Sequence, residues 1–154
     1  MTRRPVLVAL DPDQREELVA VMAEVDAAGR GWINLSPDVD PEDLPPSPGP
    51  FQVFSGVGPP VPLCTWTPPD RRKAVPHALL GVQHGRGTRV AEALAEVGIP
   101  VMEGWRVVQD QPKKGLVVKV PADEDDDEIL RWLLGAGAAL CPFPYSRWVA
   151  AIYR

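Results

Sequence analysis

The sequence predicts an α+β fold in a single domain covering residues 1–154. Three observations predict it. Valine-rich runs of strand length recur along the chain, apolar positions at helical spacing fill the intervals between several of them, and a proline cluster separates the front of the chain from the rest. A chain of this length buries about 70% of the surface that its unfolded form exposes, so it can hold itself together without staples.

Val6–Leu10 is a continuous apolar run, which suits a strand buried in the centre of a sheet. Asp11-Pro12-Asp13-Gln14 then reads as a helix start, with Asp11 as N-cap, Pro12 at the first helical position and Gln14 closing a capping box. The helix runs over residues 12–28, faces inward through Leu18, Val21, Met22 and Val25, and stops at Gly29. Residues 32–35 follow as a short strand.

Between Pro37 and Pro69 lie eleven of the nineteen prolines, each of which removes a backbone donor and fixes φ, so no helix runs through this stretch. Residues 38–50 read as an exposed, proline-rich loop. Residues 51–54 and Leu63–Thr67 are its two candidate strands.

Residues 75–99 read as a helical segment broken at Gly85-Arg86-Gly87-Thr88. Its second half takes Thr88 as cap, Val90, Ala91, Leu94, Ala95 and Val97 as apolar stripe, and Gly98 with Pro100 as closure. Residues 103–111 and 115–120 are strand-like runs joined by the turn Pro112-Lys113-Lys114-Gly115. The acidic run 123–128 opens a last helix with Ile129, Leu130, Leu133, Leu134 and Leu140 on its apolar face, ending near Pro142. Residues 147–153 complete the sheet as a final strand.

Laid end to end, residues 62–154 give strand, helix, strand, strand, helix, strand. That is the order of the ferredoxin-like split βαββαβ unit, with an N-terminal β-α-β addition in front of it. Residues 6–10 followed by Pro12 echo residues 116–120 followed by Pro121, each ahead of an acid-led helix. The echo reads either as a decayed duplication or as two independent ways of starting a helix after a strand.

The net charge is −5, from 21 acidic and 16 basic side chains, with the acids bunched. No basic stripe is present to displace phosphate counterions, which argues against a nucleic-acid partner. Arg71, Arg72 and Lys73 beside a proline pair read as a solvated loop. Cys64 and Cys141 stand far apart with no CxxC spacing, so neither a disulfide framework nor a metal site is suggested and both read as small core residues. The apolar run at residues 6–10 is too short for a signal peptide or a membrane span, and a cytoplasmic protein with no membrane partner is expected.

The most suggestive segment is Gly81-Val82-Gln83-His84-Gly85-Arg86-Gly87-Thr88-Arg89. Its glycines let backbone approach a ligand, the helix opening at Thr88 offers free N–H groups, and two arginines add charge. Gly85, Arg86, Gly87, Thr88 and Arg89 are therefore candidate ligands for an anionic small molecule. The segment lacks both the GKS/T ending of a phosphate loop and the GxGxxG spacing of a dinucleotide site. The plainer alternative is a helix end at Gly85, a turn, and a helix start at Thr88.

His77 and His84 are the only histidines, and on one helix they share a face two turns apart, too far for joint coordination of a metal. Either suits a general base paired with Glu103 or Asp110, with Arg86, Arg89 or Arg106 as clamp. The run 123–128 lacks the glycine and alternate spacing of a calcium loop and reads as a solvated helix start. Five tryptophans read as filler of a core or a dimer interface.

Three functional expectations follow. The first is a non-catalytic anion-binding or regulatory protein acting as a homodimer. The second is a small enzyme built on His84 or His77. The third is an interaction module working through the proline-rich loop. No motif specifies a cofactor.

Overall fold

The computed structural model describes residues 3–44 and 58–154. Within these residues seven strands form one sheet: β1 (Val6–Leu10), β2 (Trp32–Pro37), β3 (Leu63–Thr67), β4 (His77–Gln83), β5 (Arg106–Gln111), β6 (Gly115–Pro121) and β7 (Trp148–Tyr153). Among the described residues three α-helices accompany them: α1 (Glu16–Ala28), α2 (Val90–Glu96) and α3 (Asp126–Leu140). The strand order is β1-β7-β2-β3-β4-β6-β5, and every neighbouring pair is antiparallel. It follows that β7 is threaded between β1 and β2, the strands that α1 joins. In the same way β6 lies between β4 and β5, which α2 joins. β6 and β7 run in the same direction, and α3 carries the chain from one to the other across β4, β3 and β2, with α1 beside it.

Period-two alternation gives the sheet one dry face. Ile33 and Leu35, Cys64 and Trp66, Leu80 and Val82, Leu116 and Val118, and Trp148 and Ala150 all turn toward the helices and are buried. Among the described residues the opposite face carries no helix, and there Trp32 stacks on its cross-strand neighbour Tyr153 with ring centroids 4.5 Å apart. The other four tryptophans are buried in the core. α3 starts where Asp125 accepts a hydrogen bond from the Asp127 N–H, with three further acids in its first turn. Its buried side then lies close on the sheet. Gly137 makes this possible, because a Cβ there would stand 2.6 Å from Cη2 of Trp148 and 3.0 Å from Sγ of Cys64.

Several sequence expectations are corrected. The first half of the 75–99 segment is strand β4, not helix: Ala78, Leu80 and Val82 alternate inward, and β3 and β6 pair with it on either side. Leu79 stands apart from that buried row, on the open face. From His77 onward the chain still runs βαββαβ in order. However, β2 and β3 stand between β7 and β4, so those four strands do not make one contiguous ferredoxin-like sheet.

β1 is also not central. It forms an edge, with Val6, Leu7, Val8 and Ala9 all exposed. Its echo, β6, is an interior strand whose crossover skips three strands where that of β1 skips one, so the likeness in sequence is no likeness in position. α1 begins at Glu16, four residues later than the sequence suggests, because residues 11–14 close a turn in which the Gln14 N–H donates to the Asp11 carbonyl at 2.9 Å. The start of the helix is tied instead to α3: the Arg15 guanidinium donates to both carboxylate oxygens of Asp127, at 2.8 and 3.2 Å.

Within the proline-rich stretch, Pro41–Asp43 forms a single 3₁₀ turn in which Asp40 accepts from the Glu42 N–H, and Val39 is buried. That stretch is therefore not uniformly an exposed loop. Residues 45–50 of the loop and the candidate strand 51–54 lie outside the described residues. Cys64 is a core residue as expected, whereas Cys141 is only half-buried. Among the described residues no helix is long and apolar enough to cross a membrane.

Candidate functional site

The candidate binding segment leaves the end of β4. His84 continues the alternation of that strand and turns to the helix side, where it is fully buried. Residues 58–60 run along its backbone, so close that a Cβ on Gly58 would collide with the His84 carbonyl oxygen, and Gly85 faces the Pro59 carbonyl. The sequence reading missed this strap, and the Gly58-Pro59-Pro60 triplet is the one local sign of it.

The His84 ring is held on one side only. Its Nδ1 accepts from the Arg86 backbone N–H at 3.1 Å, which leaves the proton of the neutral ring on Nε2. Nε2 is buried with no hydrogen-bond partner among the described residues. Burial pushes the imidazole below its ordinary pKa, the nearby Asp110 carboxylate pulls it back up, and the Arg86 charge pushes it further down.

Asp110 performs a separate task. It sits on β5 opposite Leu116, and its two carboxylate oxygens accept hydrogen bonds from the Val90 and Ala91 N–H groups, each at 3.1 Å. The positive end of α2 is therefore capped from a neighbouring strand. Thr88, expected as the cap, is not used: the residue ahead of the helix is Arg89, at φ 55°, the one non-glycine residue with positive φ among those described. Such a conformation costs an ordinary side chain about 1 to 2 kcal/mol. Together with Gly87 at φ +95° it turns the chain sharply into α2.

The result is a loop fixed at both ends, with Gly85, Arg86, Thr88 and Arg89 exposed and Gly87 half-buried. Among the described residues neither Arg86 nor Arg89 joins a salt bridge. The chain matches no family model, no curated protein and no solved structure.

The remaining candidates fall elsewhere. His77 and His84 are seven apart on an extended run, so the spacing that would have united them on a helix puts them on opposite faces of the sheet at opposite ends of β4. His77 lies beside Pro121, and its Nδ1 is 3.0 Å from the Val75 carbonyl oxygen. Arg106 lies opposite Lys119 on the open face, toward the His77 end, and Glu103 is in the exposed turn just before it. Only His84, Asp110, Arg86 and Arg89 are brought together.

The basic patch at 71–73 lies exposed in a loop, and two of its three side chains are paired. Arg71 bridges Asp26 at 2.7 Å and the Ala122 carbonyl at 3.2 Å, and Arg72 pairs with Asp70. Near the Arg71–Asp26 pair, burial raises the Asp126 carboxyl, with help from Asp26 and Asp125.

Proposed function

We propose that the protein is a non-catalytic binder of a small anionic molecule, with Arg86 and Arg89 as its principal contacts. The observation that carries this reading is a loop anchored at both ends that bears two exposed arginines, neither of which joins a salt bridge among the described residues. The His84 ring and the 58–60 strap anchor one end of their loop, the Asp110 cap anchors the other, and two glycines between keep side chains out of the way. Arginine held in this manner offers planar, forked donors suited to carboxylate, sulfate or phosphate oxygens.

The α2 N–H groups are not part of the proposed site, since Asp110 already occupies them. The same geometry weighs against acid–base chemistry at His84, whose proton faces a closed interior while both oxygens of its nearest carboxylate serve backbone donors.

Thermal denaturation of the full chain against phosphate, sulfate and a set of di- and tricarboxylates tests the reading. A ligand at a hundred times its Kd stabilises by roughly 2.7 kcal/mol, equivalent to several degrees for a domain of this size. Arg86→Ala and Arg89→Ala should each remove most of the shift. If no anion raises the wild-type midpoint, or if the double variant responds as the wild type does, the proposal fails.

A further inference from the structure

The two edges of the sheet are not alike. β5 is blunted in the ways that keep sheet edges from pairing: its ladder is interrupted by a register shift between Val107 and Gln109, it carries Arg106 and Asp110, and Pro112 follows it. β1 is flanked by Pro5 and Pro12, but within the strand it carries neither a charge nor a register shift. It consists of Val-Leu-Val-Ala-Leu paired in unbroken register to β7, and its outer side leaves Val6 57%, Leu7 67% and Val8 37% exposed. Beside it, on the helix side, a cavity of about 120 Å³ opens between Val8 and Leu10 of β1, Leu18 and Val21 of α1, and Ala150 of β7.

The flanks of β1 indicate what covers this edge. Arg3 and Arg4 precede it and Asp11 and Asp13 follow it, all four exposed, and among the described residues none joins a salt bridge. We propose that β1 pairs antiparallel with β1 of a second copy of this chain, extending the sheet across a two-fold axis near Val8. With Val8 opposite Val8 of the second copy, Pro5 of each chain falls opposite Asp11 of the other, so Arg3 and Arg4 lie at the same end of the pair as that Asp11 and the turn that carries Asp13. An in-register parallel pair would instead set Arg against Arg and Asp against Asp.

Antiparallel addition continues the alternation of all six strand pairs in the sheet. A specific interface takes about 800 Å² from each partner, more than one five-residue strand supplies, so the contact must reach the flank of α1 at Val21 and Glu17. A two-fold axis through the edge brings that flank of both copies to the same side.

The test is sedimentation equilibrium of the full chain at low salt, with two double variants that leave every core residue in place. Wild type should be a dimer. Arg3→Glu with Arg4→Glu, and separately Asp11→Lys with Asp13→Lys, should each weaken self-association about tenfold or more, because each then sets like charges against like. An equimolar mixture of the two variants should recover the dimer, since one chain is then acidic at both ends of β1 and the other basic. Recovery also shows that both variants are folded. A monomeric wild type at about 100 µM overturns the proposal, as does a dimer that neither variant weakens, or a mixture that stays dissociated. Amide exchange supplies a second reading, in which N–H groups of Val6–Leu10 gain protection as concentration rises. No such gain would also overturn it.

Discussion

Gly137 and Trp148 pack so tightly that a Cβ on the glycine would stand 2.6 Å from Cη2 of the indole. Two residues back, on a less buried side of the same helix, a Cβ on Gly135 would meet Ile99 at an ordinary 3.7 Å. The two glycines therefore predict opposite outcomes. Gly137→Ala should destabilise the protein by about 1 to 3 kcal/mol through overpacking. Gly135→Ala should stabilise it by up to about 1 kcal/mol through helix propensity. Urea denaturation of both variants decides it, and equal effects of the same sign would contradict this account of how α3 sits on the sheet.

His84 predicts a pH dependence with a definite sign. Burial holds its native pKa below the ordinary 6.5, so between the two values the unfolded chain binds the extra proton. Stability should accordingly fall as the pH drops below about 6.5, with a slope of at most about 1.4 kcal/mol per pH unit from this residue. His84→Asn keeps an acceptor for the Arg86 N–H and removes the titration. Denaturation midpoints at pH 7.5 and 5.5 should then lie closer together than in the wild type.

The two thiols should behave differently toward alkylation. Cys64 is buried against α3, and burial pushes its pKa up to about 12. Cys141 is half-buried at the end of that helix. Iodoacetamide at pH 8 should modify Cys141 in the native protein and reach Cys64 only in denaturant, as peptide mass spectrometry would show. Rapid native labelling of Cys64 would mean that the β3–α3 contact opens readily.

Asp110→Ala should cost about 1 to 2 kcal/mol, the usual loss for a helix cap, and expose the Val90 and Ala91 amides to hydrogen exchange. Asp110→Asn retains one acceptor oxygen and should lose less. If exchange at those two amides is the same in all three proteins, the cross-strand cap does not hold α2 in solution.

How far these features can be read in the sequence depends on whether their cause is local. α3 and β7 follow from alternation and capping within a few residues, and both are found at the expected place. The failures have long-range causes. His77–Gln83 is a strand because β3 and β6 flank it, which the fragment HALLGVQ does not reveal. β1 has the composition of a central strand and the position of an edge, since edge and centre are decided by pairing. At the candidate site the glycines, the arginines and the turn are legible in order. That Asp110, twenty residues beyond Val90, fills the helix end is not, because only the β5–β6 pairing brings it there.

The threading of β7 between β1 and β2 also sets an order of events at the ribosome. Val6 is paired through Ile152, and among the described residues β1 has no other neighbour in the sheet, so β1 cannot dock until the chain has been made as far as Ile152. At 5 to 20 residues per second that is a wait of roughly 7 to 30 s. For that time a bare Val-Leu-Val-Ala-Leu segment trails from each nascent chain, and chains translated side by side on one message carry it at high local concentration. A chaperone that shields the segment, or a second nascent chain that pairs with it, would meet β1 before its own β7 does.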